Sequence, residues 1–185
     1  MKRKLIIVEG GIGSGKSSLS YLLRENMKHT TMISLSSIYD DTSVNNFLYH
    51  TNILNMLQDV DGSNFILCRS FLSNEIMSRL GHKSYDNKQN YDWLLDKLKF
   101  LNTYYYDVEF IILATTKEEY EKRLSKRNKF ELIEHTVNEA MEQQRLYLNI
   151  ADELREYGFN VAVYNNSGMS KKDLCNLIMI EQGLE

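Results

Sequence analysis

Short apolar runs alternate along the chain with segments whose apolar residues recur every three to four positions. Leu5–Glu9 (LIIVE), Thr31–Leu35 (TMISL), Phe65–Cys68 (FILC), Val108–Ala114 (VEFIILA) and Phe159–Asn165 (FNVAVYN) have the length of strands. They show little of the polar alternation that a half-wet sheet would impose, which predicts strands covered on both faces. Between them, Lys16–Met27 places Leu19, Leu22 and Leu23 at helical spacing, and Val44–Gln58 brings Phe47, Leu48, Ile53, Leu54 and Leu57 near one side. Tyr91–Tyr105, Lys117–Asn128, Glu131–Gly158 and Ser170–Ile180 also read as helices, with Gly158 as a C-cap and Ser170 as an N-cap. Asp61–Asn64 (DGSN) has turn chemistry. The alternation predicts an α/β fold in three layers, with about five parallel strands between helices, a typical sheet size.

Composition narrows the class. A chain of 185 residues suits one domain over 1–185 with a sizeable core. The 22 Lys and Arg stand against 25 Asp and Glu, a net charge of -3, so there is no basic footprint and nucleic acid is disfavoured as a main partner. The opening MKRKLIIVEGG holds an apolar run too short for a signal or membrane segment, so no membrane partner is expected. Cys68 and Cys175 lack metal-type spacing and read as free thiols in a reducing, cytoplasmic setting. There is no proline, and therefore no Pro-rich linker.

The most specific motif is GGIGSGKS, from Gly10 to Ser17. It fits G-x-x-x-x-G-K-[ST] and lies between a predicted strand and a predicted helix, the setting in which that motif cradles phosphate. Glycines allow backbone N–H groups to turn inward, and the following helix adds its positive N-terminal end. Gly10, Gly11, Ile12, Gly13, Ser14, Gly15, Lys16, Ser17 and Ser18 are therefore candidate nucleotide-binding residues. Lys16 is expected on the β- and γ-phosphates of ATP, and the Ser17 hydroxyl on Mg²⁺.

VEGGIGSGKSS resembles the phosphate loop of deoxynucleoside kinases, E-G-N-I-G-S-G-K-[ST]-[ST], with Gly11 in place of the Asn. It is also similar to that of thymidylate kinases, E-G-x-D-G-S-G-K, with Ile12 in place of the Asp. The resemblance implies a P-loop kinase fold with a helical lid. In both families the third strand ends in an acid followed by Arg. Here CRSFLSNEIM keeps Arg69 and Ser70 and has Cys68 where the acid would be. By resemblance Arg69 binds the transferred phosphate or the substrate, a role its delocalised charge suits. A thiol is a poor Mg²⁺ ligand. Three arrangements answer the loss: Ser17, phosphates and water hold the ion alone; another carboxylate reaches it; or catalysis is impaired. Glu9, Asp40 and Asp41 are the candidate carboxylates. Deoxynucleoside kinases carry a general-base Glu shortly after the second strand, which assigns that part to Asp40 or Asp41, residues that also fit a solvated helix N-terminus.

Lys122–Lys129 (KRLSKRNK) holds five basic residues and no acid. Arg123 and Arg127 share one helical face. The run resembles the R-x-x-x-R lid of both families, which places the lid at about 117–131 and Arg123 and Arg127 on phosphate. ELIE…QQRLYLNIA resembles the segment after the thymidylate kinase lid. Tyr49 and Asn52 lie three apart on the helix that holds the nucleobase in both families, so Tyr49 is a candidate for stacking and Asn52 for the base edge. Thymidylate kinases have an Asp-Arg pair there, with the Arg on the acceptor phosphate; this chain has Asn52 and Ile53. The resemblance implies transfer of the γ-phosphoryl group of ATP to a deoxynucleoside monophosphate. The alternative acceptors are a deoxynucleoside, or a modified base or hydroxyl in DNA. The non-enzymatic alternative is a nucleotide-binding module with little turnover, which Cys68 favours. Dimers are usual in both families, so a homodimer is expected by analogy.

Overall fold

The computed structural model describes residues 2–35, 45–60, 62–81, 88–127 and 135–184. Among these residues five strands, β1 (Arg3–Gly10), β2 (Thr30–Ser34), β3 (Asn64–Cys68), β4 (Tyr106–Ala114) and β5 (Asn160–Asn165), form one sheet in the order β2-β3-β1-β4-β5. Every pairing is parallel. Among the described residues seven helices connect or follow them: α1 (Lys16–Asn26), α2 (Asn46–Asp59), α3 (Phe71–Arg79), α4 (Lys88–Tyr104), α5 (Lys117–Arg127), α6 (Val137–Glu156) and α7 (Lys171–Glu181).

The apolar runs contain no polar alternation because both faces of the sheet are covered. Leu5, Ile7, Phe65, Leu67, Val108, Phe110 and Ile112 pack with side chains of α2, α3, α4 and α6. Ile6, Val8, Ile66, Ile111 and Leu113 pack with α1 and α7 on the other face. Successive residues of a strand point to opposite faces, so each strand feeds both layers.

Helix ends follow local chemistry. Gly158 (φ 87) ends α6 in a left-handed turn: its N–H donates to Arg155 O at 2.9 Å, and the N–H of Phe159 donates to Leu154 O at 3.0 Å. This paired pattern is the glycine-dependent stop expected there. The Ser170 side chain caps α7 by accepting from Asp173 N. The helix expected from Glu131 starts at Val137, because the Thr136 side chain caps it by accepting from Glu139 N. Helix α3 left no mark in the hydrophobic spacing. Its buried set includes the polar Ser73 and Asn74 beside Phe71, Leu72 and Ile76, so polar residues occupy inward positions.

The topology places the site. The chain leaves β1, builds β3 beside it through β2, then crosses to β4 on the other side. Ligands bind outside the carboxyl ends of such strands, where the order reverses. Val8 pairs with Cys68, so the segments that leave β1 and β3 start side by side. No helix among the described residues is long and apolar enough to cross a membrane.

Candidate active site

The loop after β1 is shaped by backbone that only glycine accepts easily. Gly10 (φ 145), Gly13 (φ 76) and Gly15 (φ 97) all have positive φ. Gly15 is the N-cap of α1 and offers no side chain to its first turn. Lys16 is 7% exposed, and its Nζ donates to Gly10 O at 2.6 Å and Gly11 O at 2.8 Å. The ammonium therefore lies inside the curve of the loop, where a phosphate would compete for it. The outer side of the loop is held by α6: Gln143 Oε1 accepts from Ile12 N at 2.9 Å. Ile12 also packs on the Tyr120, Leu124 and Ala140 cluster between α5 and α6.

Gly11, which stands where the nucleoside kinase pattern has Asn, has a local reason. A Cβ there would lie 2.9 Å from Ala140 O and 2.9 Å from the Tyr120 hydroxyl. Helix α6 fills the space an Asn would need. Gly11→Asn is expected to cost about 1–3 kcal/mol by overpacking against backbone. Thermal unfolding of the variant checks this, and an unchanged melting temperature would mean that α6 yields freely.

Arg69 is the first residue after β3 and has φ 76, rare for a residue with a side chain. Its N–H donates to Val8 O at 3.1 Å, which fastens the turn to β1. Arg69 and the loop residues Gly13, Gly15, Lys16, Ser17 and Ser18 line one cleft of about 790 Å³. Cys68 is 1% exposed, and its Sγ lies 3.7 Å from the Ser17 hydroxyl. The position that lacks the acid thus faces the serine expected to meet the metal.

The donor set decides which ion the site suits. Among the described residues no group of three His, Cys, Asp or Glu gathers as a metal centre. Glu9 is fully buried, and its carboxylate accepts from Ser70, Ser73 and Tyr147 hydroxyls at 2.7, 2.9 and 3.0 Å. Burial pushes this carboxyl above its ordinary range, against the hydroxyls and the nearby Lys16 charge. Both Glu9 oxygens are therefore committed to protein donors. Glu119 lines the cleft but accepts from Arg123 at 2.9 Å. Among the described residues Ser17 remains as the candidate oxygen donor, which would fit Mg²⁺ that arrives with nucleotide phosphates and keeps its waters.

The far side of the cleft is cationic, with Lys122, Arg123, Lys126 and Lys171. Arg123, expected as a phosphate contact, is bound into the wall. Its guanidinium donates to Ser14 O at 3.1 Å and Asn166 Oδ1 at 3.1 Å as well as to Glu119. Asn166, just past β5, is 4% exposed and donates to Ser14 O at 2.6 Å. Asn166 carries no motif, and Gln143 and Gln144, which open the QQRLYLNIA stretch, were given no role by the sequence. Their role comes from sitting where β5 and α6 pass the loop. Gln144 accepts from Thr115 N at 2.8 Å and from the Tyr120 hydroxyl at 3.1 Å. Tyr120 and Leu124 of α5, the helix that falls within the expected lid, are buried and pack with Ile12 of the loop. Asp40, Asp41, the lid positions 128–131 and the side chain of Arg127 lie outside the described residues.

On the other side of Arg69, helix α2 faces inward with His50, Leu54 and Leu57. Asn52, the expected base-edge contact, is exposed because this helix turns its 50–54–57 stripe to the core; Tyr49 is half-buried with its ring 5.2 Å from that of His50. The inward polar pair is instead His50 and Asn74, with Nε2 and Nδ2 2.9 Å apart. Burial pushes the imidazole down to about 4, so His50 is neutral near neutral pH and its Nε2 accepts from the amide. Histidine among helix-face residues is common in cores, which is why spacing alone did not single it out.

No family model and no curated protein sequence matches the chain. Solved structures do. YorR from Bacillus subtilis, in complex with phosphorylated GDP, aligns at 20% identity and TM-score 0.70, over 98% of this chain and 96% of that one. Candida albicans thymidylate kinase aligns at 17% and 0.65, over 100% and 94%. Deoxyadenosine kinase from M. mycoides with bound dATP aligns at 16% and 0.65, over 97% and 99%. The chain has the P-loop fold of nucleoside and nucleotide kinases.

Proposed function

We propose that this protein transfers the γ-phosphoryl group of ATP to a nucleotide-type acceptor, a deoxynucleoside monophosphate in the manner of thymidylate kinases. One observation carries the reading: the loop Gly10–Ser17 and Arg69 leave neighbouring strands at a paired level, Val8 beside Cys68, and share one cleft. The triphosphate lies in the loop. Lys16 exchanges the Gly10 and Gly11 carbonyls for phosphate oxygens. Arg69 spreads charge over the transferred group, and the cations across the cleft favour a polyanionic donor. Ser17 would meet Mg²⁺ carried by the nucleotide, and the ion would supply neutralising charge to the phosphates. Asp40 or Asp41 takes the acceptor proton where the acceptor is a hydroxyl.

A second reading, an uncharged deoxynucleoside as acceptor, is favoured by α2. Between Asn46 and Asp59 this helix has no Lys or Arg to hold an acceptor phosphate. Labelled ATP and Mg²⁺ with a panel of nucleosides and monophosphates separates the two. Transfer to a monophosphate supports the first reading, and transfer only to nucleosides supports the second. ATP binding without transfer to either sinks both and leaves a nucleotide-binding module.

Cys68→Asp addresses the missing acid. It brings a carboxylate against the Ser17 hydroxyl and is expected to lower the Mg²⁺ concentration at half-maximal transfer by about tenfold, the scale on which supporting groups tune metal sites. A carboxylate buried there without the ion is costly, so the variant should melt lower in chelator and recover with Mg²⁺ and ATP. An unchanged metal dependence would separate position 68 from the ion.

A further inference from the structure

Glu9 ends the apolar stretch of β1 and stands directly before the phosphate loop, yet it does not line the cleft. It is 0% exposed. Its Oε1 accepts from Ser70 Oγ at 2.7 Å, and its Oε2 accepts from Ser73 Oγ at 2.9 Å and the Tyr147 hydroxyl at 3.0 Å. Two elements, α3 and α6, thus meet on one carboxylate at the end of a third.

Ser70 connects this cluster to Arg69. The same Oγ that donates to Glu9 accepts from Leu72 N at 3.2 Å and caps α3. The residue before it holds φ 76, a conformation that persists in a residue with a side chain only where its surroundings over-determine it. The restraints come from consecutive residues of β1. Val8 O accepts from Arg69 N at 3.1 Å, and the Glu9 carboxylate accepts from Ser70.

We propose that Glu9 is a positioning residue for phosphoryl transfer: through Ser70 it holds the β3–α3 turn in the conformation that presents Arg69 beside the phosphate loop. The catalytic consequence rests on the kinase reading above, while the restraint on the turn rests on geometry alone. A carboxylate suits the task because its two oxygens accept three hydroxyl protons at once. An amide has one acceptor oxygen, so hydroxyls that now donate to Glu9 must turn to accept from its N–H groups, which rearranges the Ser73–Tyr147 contact at 3.0 Å as well.

Two measurements on Glu9→Gln test this. Amide hydrogen exchange is expected to quicken at least tenfold at Arg69 and Leu72, with the central β4 amides of Phe110–Ile112 unchanged. In transfer assays, Glu9→Gln is expected to lower kcat about tenfold or more at unchanged KM for ATP. In an Arg69→Ala background the same change is expected to cost less than twofold, because its effect passes through Arg69. Unchanged exchange at the turn overturns the proposal. So does an equal loss of kcat in both backgrounds, which would mark a general structural role. If Glu9→Gln does not fold, Ser70→Ala breaks the same link while Ser73 and Tyr147 still satisfy the carboxylate; because it also removes the cap on Leu72 N, exchange is then read at Arg69 alone, and the same outcomes decide. If the wild-type protein phosphorylates no acceptor, the kinase reading fails and the exchange result alone decides whether Glu9 holds the turn.

Discussion

Lys16→Ala is expected to lower the rate of phosphoryl transfer by about 10²–10³-fold, the scale on which loss of one preorganised charge or donor slows such a step. The side chain is 7% exposed and already directed into the loop, with its ammonium 2.6 Å from Gly10 O and 2.8 Å from Gly11 O. It therefore needs little reorganisation to reach phosphate oxygens. These two contacts are to carbonyls of its own loop, so truncation spares the apolar packing of the sheet and removes a charge near the buried Glu9 carboxyl. Single-turnover transfer from labelled ATP, with thermal unfolding measured alongside, checks the prediction. Near-normal stability with a slow rate is the expected pair of results. An unchanged rate would mean that the loop acts without its lysine and would support the nucleotide-binding module instead.

Gly10→Ala acts on stability instead. At φ 145 the backbone of Gly10 lies where side chains are strained whatever the space, and here there is none. A Cβ would fall 2.6 Å from Leu113 O of the adjoining strand and 2.9 Å from Ser14 Oγ. Leu113 is the register partner of Gly10 in β4, so relief requires the central pair of strands to part at the loop. Strain and overpacking together are expected to cost about 3–5 kcal/mol, a large part of a typical domain's stability. For a chain of this length that corresponds to a fall in Tm on the order of 10 °C or more. Gly62→Ala is the comparison: φ is 84 but nothing lies within 4 Å of its Cβ, so only backbone strain remains. Equal losses in the two variants would show that contact with Leu113 contributes nothing.

The parts of the site that were legible in the sequence are those whose chemistry is local. Gly10–Ser17 announces itself because a phosphate loop needs glycines, a lysine and a hydroxyl at fixed offsets. Arg69 was legible because CRS, at the end of an apolar run, resembles the acid-Arg strand end of both kinase families. Asn52 was read as the base-edge contact and His50 was not considered, because spacing on a helix gives which residues share a face, not which face turns inward. Tertiary packing settles that: His50 meets Asn74 and Phe71 of α3, while Leu54 and Leu57 join the core. Arg123 was legible as a cation but not as a wall residue, since its partners Ser14 and Asn166 are far away in sequence.

By itself the sequence determined the alternation of strands and helices, the burial of both sheet faces and the phosphate loop, because periodicity and loop chemistry act over a few neighbouring residues. Only the tertiary structure decided the strand order, and with it the meeting of Glu9, Ser70 and Arg69 beside the loop and of Cys68 with Ser17. It also gave Gly11 its reason, in the carbonyl of Ala140 that occupies the space a side chain would take. Such contacts join residues dozens of positions apart, and they exist only once the strands have taken their places in the sheet.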